Sequence, residues 1–254
     1  MSEVSIDDGV VLWSVDGRGV GEADALTALQ TRPLLVLMHG FGSFEGDLIE
    51  LAGHLPKGFV CASPRAPLVA PAPIVNGFAW WQLPLSAQGL PLPQADPESF
   101  EGSGPHTAAL ATLAWLDTLD ARVRAHSVGS PAGEVGLGTI ALMGFSQGGC
   151  MVTSLLRIRP DRFVCGVNCS GFVGAGAFDG DEKLREIRPP MFWGRDVLDP
   201  IIDDHRIALT TEWAPTHTEL EARLYDGILH GIGAAELADI TAFLERHVPE
   251  VRSA

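Results

Sequence analysis

Short apolar runs that alternate with segments of helical periodicity constrain the fold of this 254-residue chain more than any other feature. The run Leu34–Met38 is apolar at every position, which is typical of a strand buried on both faces in a parallel sheet. Between residues 107 and 125, leucines recur with the spacing of one face of a helix. Strands that alternate with helices form a largely parallel sheet with helices on both faces. The sequence therefore predicts an α/β fold of this type.

The same patterns give approximate bounds for the other elements. Strands are predicted at residues 10–15, 34–38, 59–62, 139–144, 163–169, 191–193 and 219–225, and helices at residues 44–55, 107–125, 147–159, 205–213 and 234–247. The first of these strands is expected at an edge of the sheet. A length of 254 residues fits one α/β domain, so we expect residues 1–254 to form a single domain without a separate cap domain.

One proline-rich segment breaks this alternation. Nine of the chain's eighteen prolines fall between Pro64 and Pro105. Long irregular segments in compact domains are usually functional or disordered, and the aromatic residues in this one argue against disorder. We expect it to form a wall or partial lid over a pocket; the alternative is a packed loop whose tryptophans fill the edge of the core. The candidate pocket walls are Phe41, Phe78, Trp80, Trp81 and Leu83.

The charge balance argues against two classes of partner. Seventeen basic residues against 32 acidic ones give a net charge of −15, which repels phosphate backbones and anionic headgroups. Nucleic-acid binding is therefore not expected. Stable membrane association is not expected either, because the apolar runs fall far short of the roughly 20 residues that span a bilayer.

Cellular location and metal content are predicted from the first residues and the cysteines. Residues 1–8 carry acids where a secretion signal would need a basic segment and an apolar core. The cysteines at positions 61, 150, 165 and 169 lie in or beside apolar segments, and no second Cys/His pair completes a zinc site. We expect buried free thiols in a cytoplasmic protein, with no metal and no organic cofactor.

The motif G-x-S-x-G at residues 144–148 lies directly between a predicted strand and a predicted helix. A serine on such a tight turn presents its Oγ outward, and glycines two positions before and after it remove side chains that would clash with the bend. The helix N-terminus directs backbone N–H groups toward negative charge that forms there. We therefore interpret Ser146 as a nucleophile, against the alternative of an ordinary turn serine.

A serine nucleophile needs an adjacent base that is itself oriented by a carboxylate. In this sheet architecture the chain order is serine, then acid, then histidine, each after a strand. His230 follows the last predicted strand. His205 lies within a predicted helix, His217 precedes the last strand, and His247 comes in the final helix. The position of His230 thus makes it the candidate base.

Two aspartates are candidates for the acid. Asp196 and Asp199 both follow the strand predicted at residues 191–193. Asp199 precedes Pro200, which rigidifies the turn and can open the following helix. We favour Asp199 on this ground, and Asp196 stays as the alternative, being otherwise a turn-capping residue.

Two backbone N–H groups are candidates for an oxyanion hole. The sequence His39-Gly40-Phe41-Gly42 follows the buried strand Leu34–Met38, where one donor is expected. The N–H of Phe41 and that of Gln147, the residue after the serine, form the natural pair. His39 comes too early in the chain for the base, and we expect it to be a structural histidine that hydrogen-bonds the loop.

Six short motifs together resemble one family. They occupy residues 38–42, 63–67, 79–81, 144–149, 199–202 and 229–231, in that order. With them, residues 32–247 resemble the phospholipase/carboxylesterase family of α/β-hydrolases, which includes the acyl-protein thioesterases. The resemblance implies an α/β-hydrolase fold, Ser146, Asp199 and His230 as the catalytic triad, and Phe41 and Gln147 as the oxyanion hole.

The sequence departs from the family pattern at four places. The valine pair usual after Asp-Pro is Ile201-Ile202 here, and Asp203 stands where a proline is common. Gly231 follows the histidine where a small polar residue is frequent, and residues 91–104 are longer and richer in proline than expected. The last difference bears on substrate identity, because this segment is expected to shape the pocket.

These features predict a carboxylesterase-type serine hydrolase. Its expected substrate is a small-molecule ester or thioester of short-to-medium acyl chain, hydrolysed through an acyl-enzyme. One alternative is a non-hydrolytic enzyme, a perhydrolase or lyase, with the same triad. Another is a catalytically silent binding module that kept the fold. The sequence leaves open whether the chain forms a homodimer.

Overall fold

The computed structural model describes residues 4–92, 94–128 and 135–253. Its strands are β1 (Leu12–Val15), β2 (Arg18–Val20), β3 (Leu34–Met38), β4 (Val60–Ser63), β5 (Leu68–Val69), β6 (Phe78–Ala79), β7 (Ile140–Phe145), β8 (Cys165–Cys169), β9 (Pro190–Asp196) and β10 (Glu219–Tyr225). Its α-helices are α1 (Glu22–Leu29), α2 (Gly46–Ile49), α3 (Gly104–Ser127), α4 (Gln147–Ile158), α5 (Asp181–Ile187), α6 (Asp204–His217) and α7 (Ala234–His247).

Eight strands form one sheet in the order β10-β9-β8-β7-β3-β4-β1-β2. The six strands from β10 to β4 run parallel, whereas β1 pairs antiparallel with both β4 and β2. The predicted mostly parallel sheet is confirmed. No separate cap domain is evident in the described ranges, and no helix there is both long and apolar enough to cross a membrane.

The two faces of the sheet bury separate apolar clusters. Along β3, Leu34, Val36 and Met38 enter one cluster, while Leu35 and Leu37 enter the other. This alternation follows from the two-residue period of a strand. Helices α1, α3, α4, α5 and α6 contribute to the first cluster, and α2 and α7 to the second. Helices therefore cover both faces, as predicted.

The prediction of an edge strand at residues 10–15 was wrong in its position. Strand β1 begins at Leu12 and lies second from the edge, because Arg18–Val20 adds β2 outside it. The two strands are joined by Asp16 and Gly17, with φ values of 53° and 74°. An Asp-Gly pair in this left-handed region is a strong hairpin signal, which the sequence analysis did not use.

Other bounds also shifted. The helix predicted at residues 44–55 is a four-residue α2 followed by a 3₁₀ turn at Glu50–Gly53; its leucine spacing marked a buried face, but two glycines lower its helix propensity. Strand β9 is longer than predicted and extends to Asp196. The helices α1 and α5 and the hairpin of β5 and β6 were not predicted.

Two glycines let α4 approach the backbone of the sheet. A Cβ at Gly148 would lie 1.8 Å from the carbonyl oxygen of Met38, and one at Gly144 would lie 2.0 Å from that of Gly148. Both distances are far below van der Waals contact with atoms that cannot rotate away. The first turn of α4 therefore packs directly on β3 and β7, as the sequence motif suggested.

We predict that Gly148→Ala lowers the free energy of unfolding by about 3 kcal/mol, or roughly 6–12 °C in Tm, because α4 must shift away from β3. Chemical and thermal denaturation would measure this. Gly138→Ala is the matched control, since its added methyl group meets no atom within 4 Å. Equal stabilities for the two variants would contradict the packing argument.

Candidate active site

Ser146 lies on a strained turn between β7 and α4. Its φ of 54° and ψ of −114° place it in a region that a non-glycine residue rarely adopts. Its N–H donates to the carbonyl of Cys169 at 2.9 Å, which fixes the turn to the end of β8. Because the glycines on either side allow the close approach of α4, the serine is held at the carboxyl edge of the sheet.

The structure brings Ser146, His230 and Asp199 together. Nε2 of His230 lies 2.9 Å from the Ser146 Oγ, and Nδ1 lies 2.8 Å from one Asp199 oxygen and 3.1 Å from the other. An ionised carboxylate only accepts hydrogen bonds, so Nδ1 carries the proton and Nε2 is free to accept from the serine hydroxyl. A hydroxyl, an imidazole and a carboxylate in this relation can activate the hydroxyl oxygen for nucleophilic attack.

The Asp199 carboxylate is almost completely buried, with 1% of its side chain exposed. Burial acts to raise its pKa, but hydrogen bonds from His230 and from the N–H groups of Ile202 and Ile201 outweigh burial and keep the pKa below its usual value. The two N–H groups lie 3.0 and 2.8 Å from Oδ1. Asp199 is therefore ionised at neutral pH and can stabilise a positive imidazolium.

The competing residues do not bond to Ser146 or His230. Asp196, the alternative acid, accepts hydrogen bonds from the backbone N–H groups of Leu198 and Leu229 and not from His230. His205 is exposed and pairs with Asp96, 2.6 Å away. His217 stacks on Trp213, and His247 packs beside Phe243.

His39 is buried and joins two parts of the loop around the site. Its Nδ1–H donates to the Gly40 carbonyl at 2.8 Å, and its Nε2 accepts the Ala66 N–H at 3.0 Å. Burial lowers the pKa of His39 and keeps the ring neutral, consistent with the acceptor role of Nε2. The geometry agrees with the interpretation of a structural histidine.

The Gln147 side chain ties the proline-rich segment to the strained turn. Its Oε1 accepts the Trp80 N–H at 2.8 Å, and its Nε2 donates to the Trp81 carbonyl at 2.8 Å. From the sequence, only the backbone N–H of this residue was expected to have a role. The glutamine in the motif was the available clue, because an amide side chain can satisfy a donor and an acceptor of one backbone segment.

A cavity of about 570 Å³ opens onto Ser146 and His230. Gly40, Phe41 and Gln147 line it beside the serine, and so do Trp81 and Leu83. Residues 89–92 and 94–97 form a further part of its wall. The proline-rich segment thus contributes part of the cavity wall.

Two of the predicted wall residues do not line this cavity. Trp80 is 1% exposed and turns into the core, where its indole N–H donates to the His39 carbonyl at 2.9 Å. Phe78 packs under the Arg65 guanidinium, whose carbon lies 4.4 Å from the ring centroid. Aromatic character alone could not distinguish these two residues from Trp81.

A further part of the cavity wall comes from the loop after β8, which was not predicted from the sequence. Phe172, Val173, Gly174 and Ala175 line the cavity there. The buried Arg157 holds this loop, because its guanidinium donates to the Gly174 and Gly176 carbonyls and to the Asp181 carboxylate. No local pattern marks this loop, since its position depends on an arginine in α4.

Solved structures show that the fold is that of the α/β-hydrolases. Esterase PE8 has a TM-score of 0.65 at 22% identity, over 97% of this chain and 100% of its own. SOBER1 from Arabidopsis thaliana has a TM-score of 0.63 at 17% identity, over 85% of this chain and 99% of its own. The Bacillus cereus carboxylesterase has a TM-score of 0.62 at 16% identity, over 93% of each chain.

Sequence comparison is more specific. The profile described as Phospholipase/Carboxylesterase matches residues 110–248, more than half of the chain. The protein therefore belongs to the phospholipase/carboxylesterase family and is a carboxylesterase-type hydrolase. Comparison with curated proteins finds no match.

One buried acid, Glu236, lies between α7 and the sheet. Glu236, in the first turn of α7, is fully buried. It packs against β9, where a Cβ on Gly194 would lie 2.3 Å from its Oε1. Burial raises the pKa of Glu236 to about 7. Because the unfolded chain releases this proton near its ordinary pKa of 4.5, the folded state loses stability as pH rises from about 4.5 to about 7.

We predict that Glu236→Gln removes this loss. Between pH 4 and pH 8, the stability of the variant relative to the natural protein should increase by on the order of 3 kcal/mol. Urea denaturation at the two pH values measures the change, with the exposed Glu212→Gln as control. A constant difference across this range would refute the assignment of a raised pKa.

Proposed function

We propose that this protein hydrolyses carboxylic esters of short-to-medium acyl chain, and thioesters of the same acids, through a covalent acyl-enzyme. The observation that carries the proposal is the chain of hydrogen bonds from the Ser146 Oγ through His230 to Asp199, at the wall of a large cavity. The family supplies the reaction class, and the three side chains supply the roles.

In the first half of the reaction, the Ser146 Oγ attacks the substrate carbonyl carbon and its proton moves to Nε2 of His230. The ionised Asp199 stabilises the resulting imidazolium. The carbonyl oxygen becomes an oxyanion, which we assign to the backbone N–H groups of Phe41 and Gln147. Gln147 begins α4, so the positive end of the helix dipole adds to its N–H.

The tetrahedral intermediate then collapses. The bond to the leaving oxygen or sulfur breaks, and the leaving group takes the proton from Nε2 of His230. A water molecule enters, gives a proton to the same nitrogen and attacks the acyl carbon. The second collapse releases the carboxylic acid and returns the proton to the Ser146 oxygen.

The cavity and the net charge indicate the substrate class. A volume of about 570 Å³ falls within the ~300–1,000 Å³ of small-molecule sites. Phe41, Trp81 and Leu83 present apolar surface to it, which suits an acyl chain. The net charge of −15 disfavours strongly anionic substrates by long-range repulsion. Thioesters are included because a thiolate leaving group needs no protein group beyond His230.

We predict that Ser146→Ala lowers kcat for p-nitrophenyl butyrate by at least about 10⁴-fold and abolishes stoichiometric labelling by a fluorophosphonate. Ser154→Ala is the matched control, because this serine lies in α4, the helix that follows Ser146, with its Oγ bonded to the Cys150 carbonyl. The control should keep both activities. Undiminished turnover by Ser146→Ala would sink the proposed mechanism.

We predict that kcat/KM across p-nitrophenyl esters of increasing acyl length passes through a maximum below eight carbons, with a similar profile for matched thioesters. The reason is the finite volume of the apolar cavity. Each added methylene buries more apolar surface and raises kcat/KM only until the cavity is filled. A rise that continues to eight carbons or beyond would contradict the short-to-medium assignment and favour a long-chain acyl substrate.

A further inference from the structure

We infer that Asp196 is a positioning residue for His230, because its carboxylate joins the two loops that carry Asp199 and His230. The inference rests on the proposed function, in which His230 is the base. Asp196 does not contact the Ser146 hydroxyl or the imidazole in this role. It acts through the backbone that holds them.

One carboxylate binds both loops immediately before the residues of the triad. Oδ1 of Asp196 accepts the Leu198 N–H at 2.7 Å, and Oδ2 accepts the Leu229 N–H at 2.6 Å. Leu198 directly precedes Asp199, and Leu229 directly precedes His230. The Asp196 carboxylate therefore holds the backbone at the residue directly before Asp199 and at the residue directly before His230.

The sheet itself does not extend far enough to hold these loops. The pairing of β9 with β10 ends at Asp196 and Tyr225, and the Val197 N–H still donates to the Tyr225 carbonyl at 2.9 Å. Beyond this bond the two segments leave the sheet. The Asp196 carboxylate is the next connection between them, and it replaces the regular ladder at the point where the site begins.

The side chains of the two residues that Asp196 binds do little to hold the loops. Leu198 is 76% exposed and Leu229 is 59% exposed, so neither side chain anchors its segment in the core. Leu229 also has a φ of 54°, a left-handed conformation that a leucine avoids unless something holds it. The hydrogen bond to Asp196 holds the N–H of this residue and so sets the direction in which the chain enters His230.

The environment of Asp196 suits this role. The residue is 1% exposed, and hydrogen bonds, chiefly from the Leu198 N–H, hold the pKa of its carboxyl below the usual value. Asp196 is therefore ionised at neutral pH, and bonds from N–H groups to a charged acceptor are about twice as strong as neutral ones. A shift of about 1 Å in a reacting group can lower a rate by about 10²-fold.

The test compares kcat and KM for p-nitrophenyl butyrate in Asp196→Ala, Asp196→Asn and a control. We expect Asp196→Ala to lower kcat by about 10- to 100-fold with KM changed by less than about threefold, because the cavity keeps its walls. Asp120→Ala is the matched control, since this carboxylate also accepts a loop N–H, that of Leu137 at 2.6 Å, and does not line the cavity.

A second variant covers the case in which Asp196→Ala fails to fold. Asp196→Asn preserves the volume and one acceptor oxygen but turns an amide group toward the other N–H. We expect it to fold and to lower kcat about tenfold. A kcat within about twofold of the natural protein for either folded variant, with Ser146→Ala inactive, would overturn the inference and leave the proposed function standing.

A double-mutant cycle separates positioning of His230 from a general structural role. If Asp196 acts through His230, then Asp196→Ala should change the residual rate of a His230→Ala background by less than about twofold. An equal loss in both backgrounds would overturn the inference. Full activity of His230→Ala itself would overturn the proposed function, and the inference with it.

Discussion

The contact between the first turn of α4 and the backbone of β3 is the constraint on which the rest of the site depends. Gly148 lies so close to the Met38 carbonyl that a single added carbon would overlap it. This approach forces the chain to turn sharply at Ser146, whose left-handed backbone raises the hydroxyl above the sheet. The same turn begins α4, so the Ser146 hydroxyl lies at the positive end of the helix dipole.

The parallel topology of the sheet then brings Asp199 and His230 to Ser146. Strands β7, β8, β9 and β10 are consecutive neighbours in the sheet, so their carboxyl ends meet along one edge. The Ser146 N–H is bonded to the end of β8, and the segments after β9 and β10 supply Asp199 and His230. Asp196, at the end of β9, continues the connection between these segments after the sheet has ended.

Local patterns were sufficient for most strands of the large sheet and for the longer helices, but not for β2, the hairpin of β5 and β6, or the short helices α1 and α5. The motif around Ser146, the proline after Asp199 and the chain order that favours His230 indicated three side chains, and the structure joins them in one chain of hydrogen bonds. The directions of Phe78 and Trp80 could not be predicted, because an irregular segment has no periodicity that relates sequence to face. The role of Asp196 could not be predicted from the sequence either, since it depends on a contact between residues 33 positions apart.

Two parts of the cavity wall are attached to the rest of the molecule in different ways. The loop after β8 is held by the buried guanidinium of Arg157. Residues 83–92 and 94–97 lie mostly at the surface. The Gln147 side chain bonds the chain just before them, at the Trp81 carbonyl, and Asp96 pairs with the exposed His205. Insertions or deletions in this surface part of the wall can therefore accumulate in related proteins without moving Ser146, Asp199 or His230. Selectivity for the substrate can therefore change through one part of the cavity wall, while the three side chains at the carboxyl edge of the sheet keep their positions.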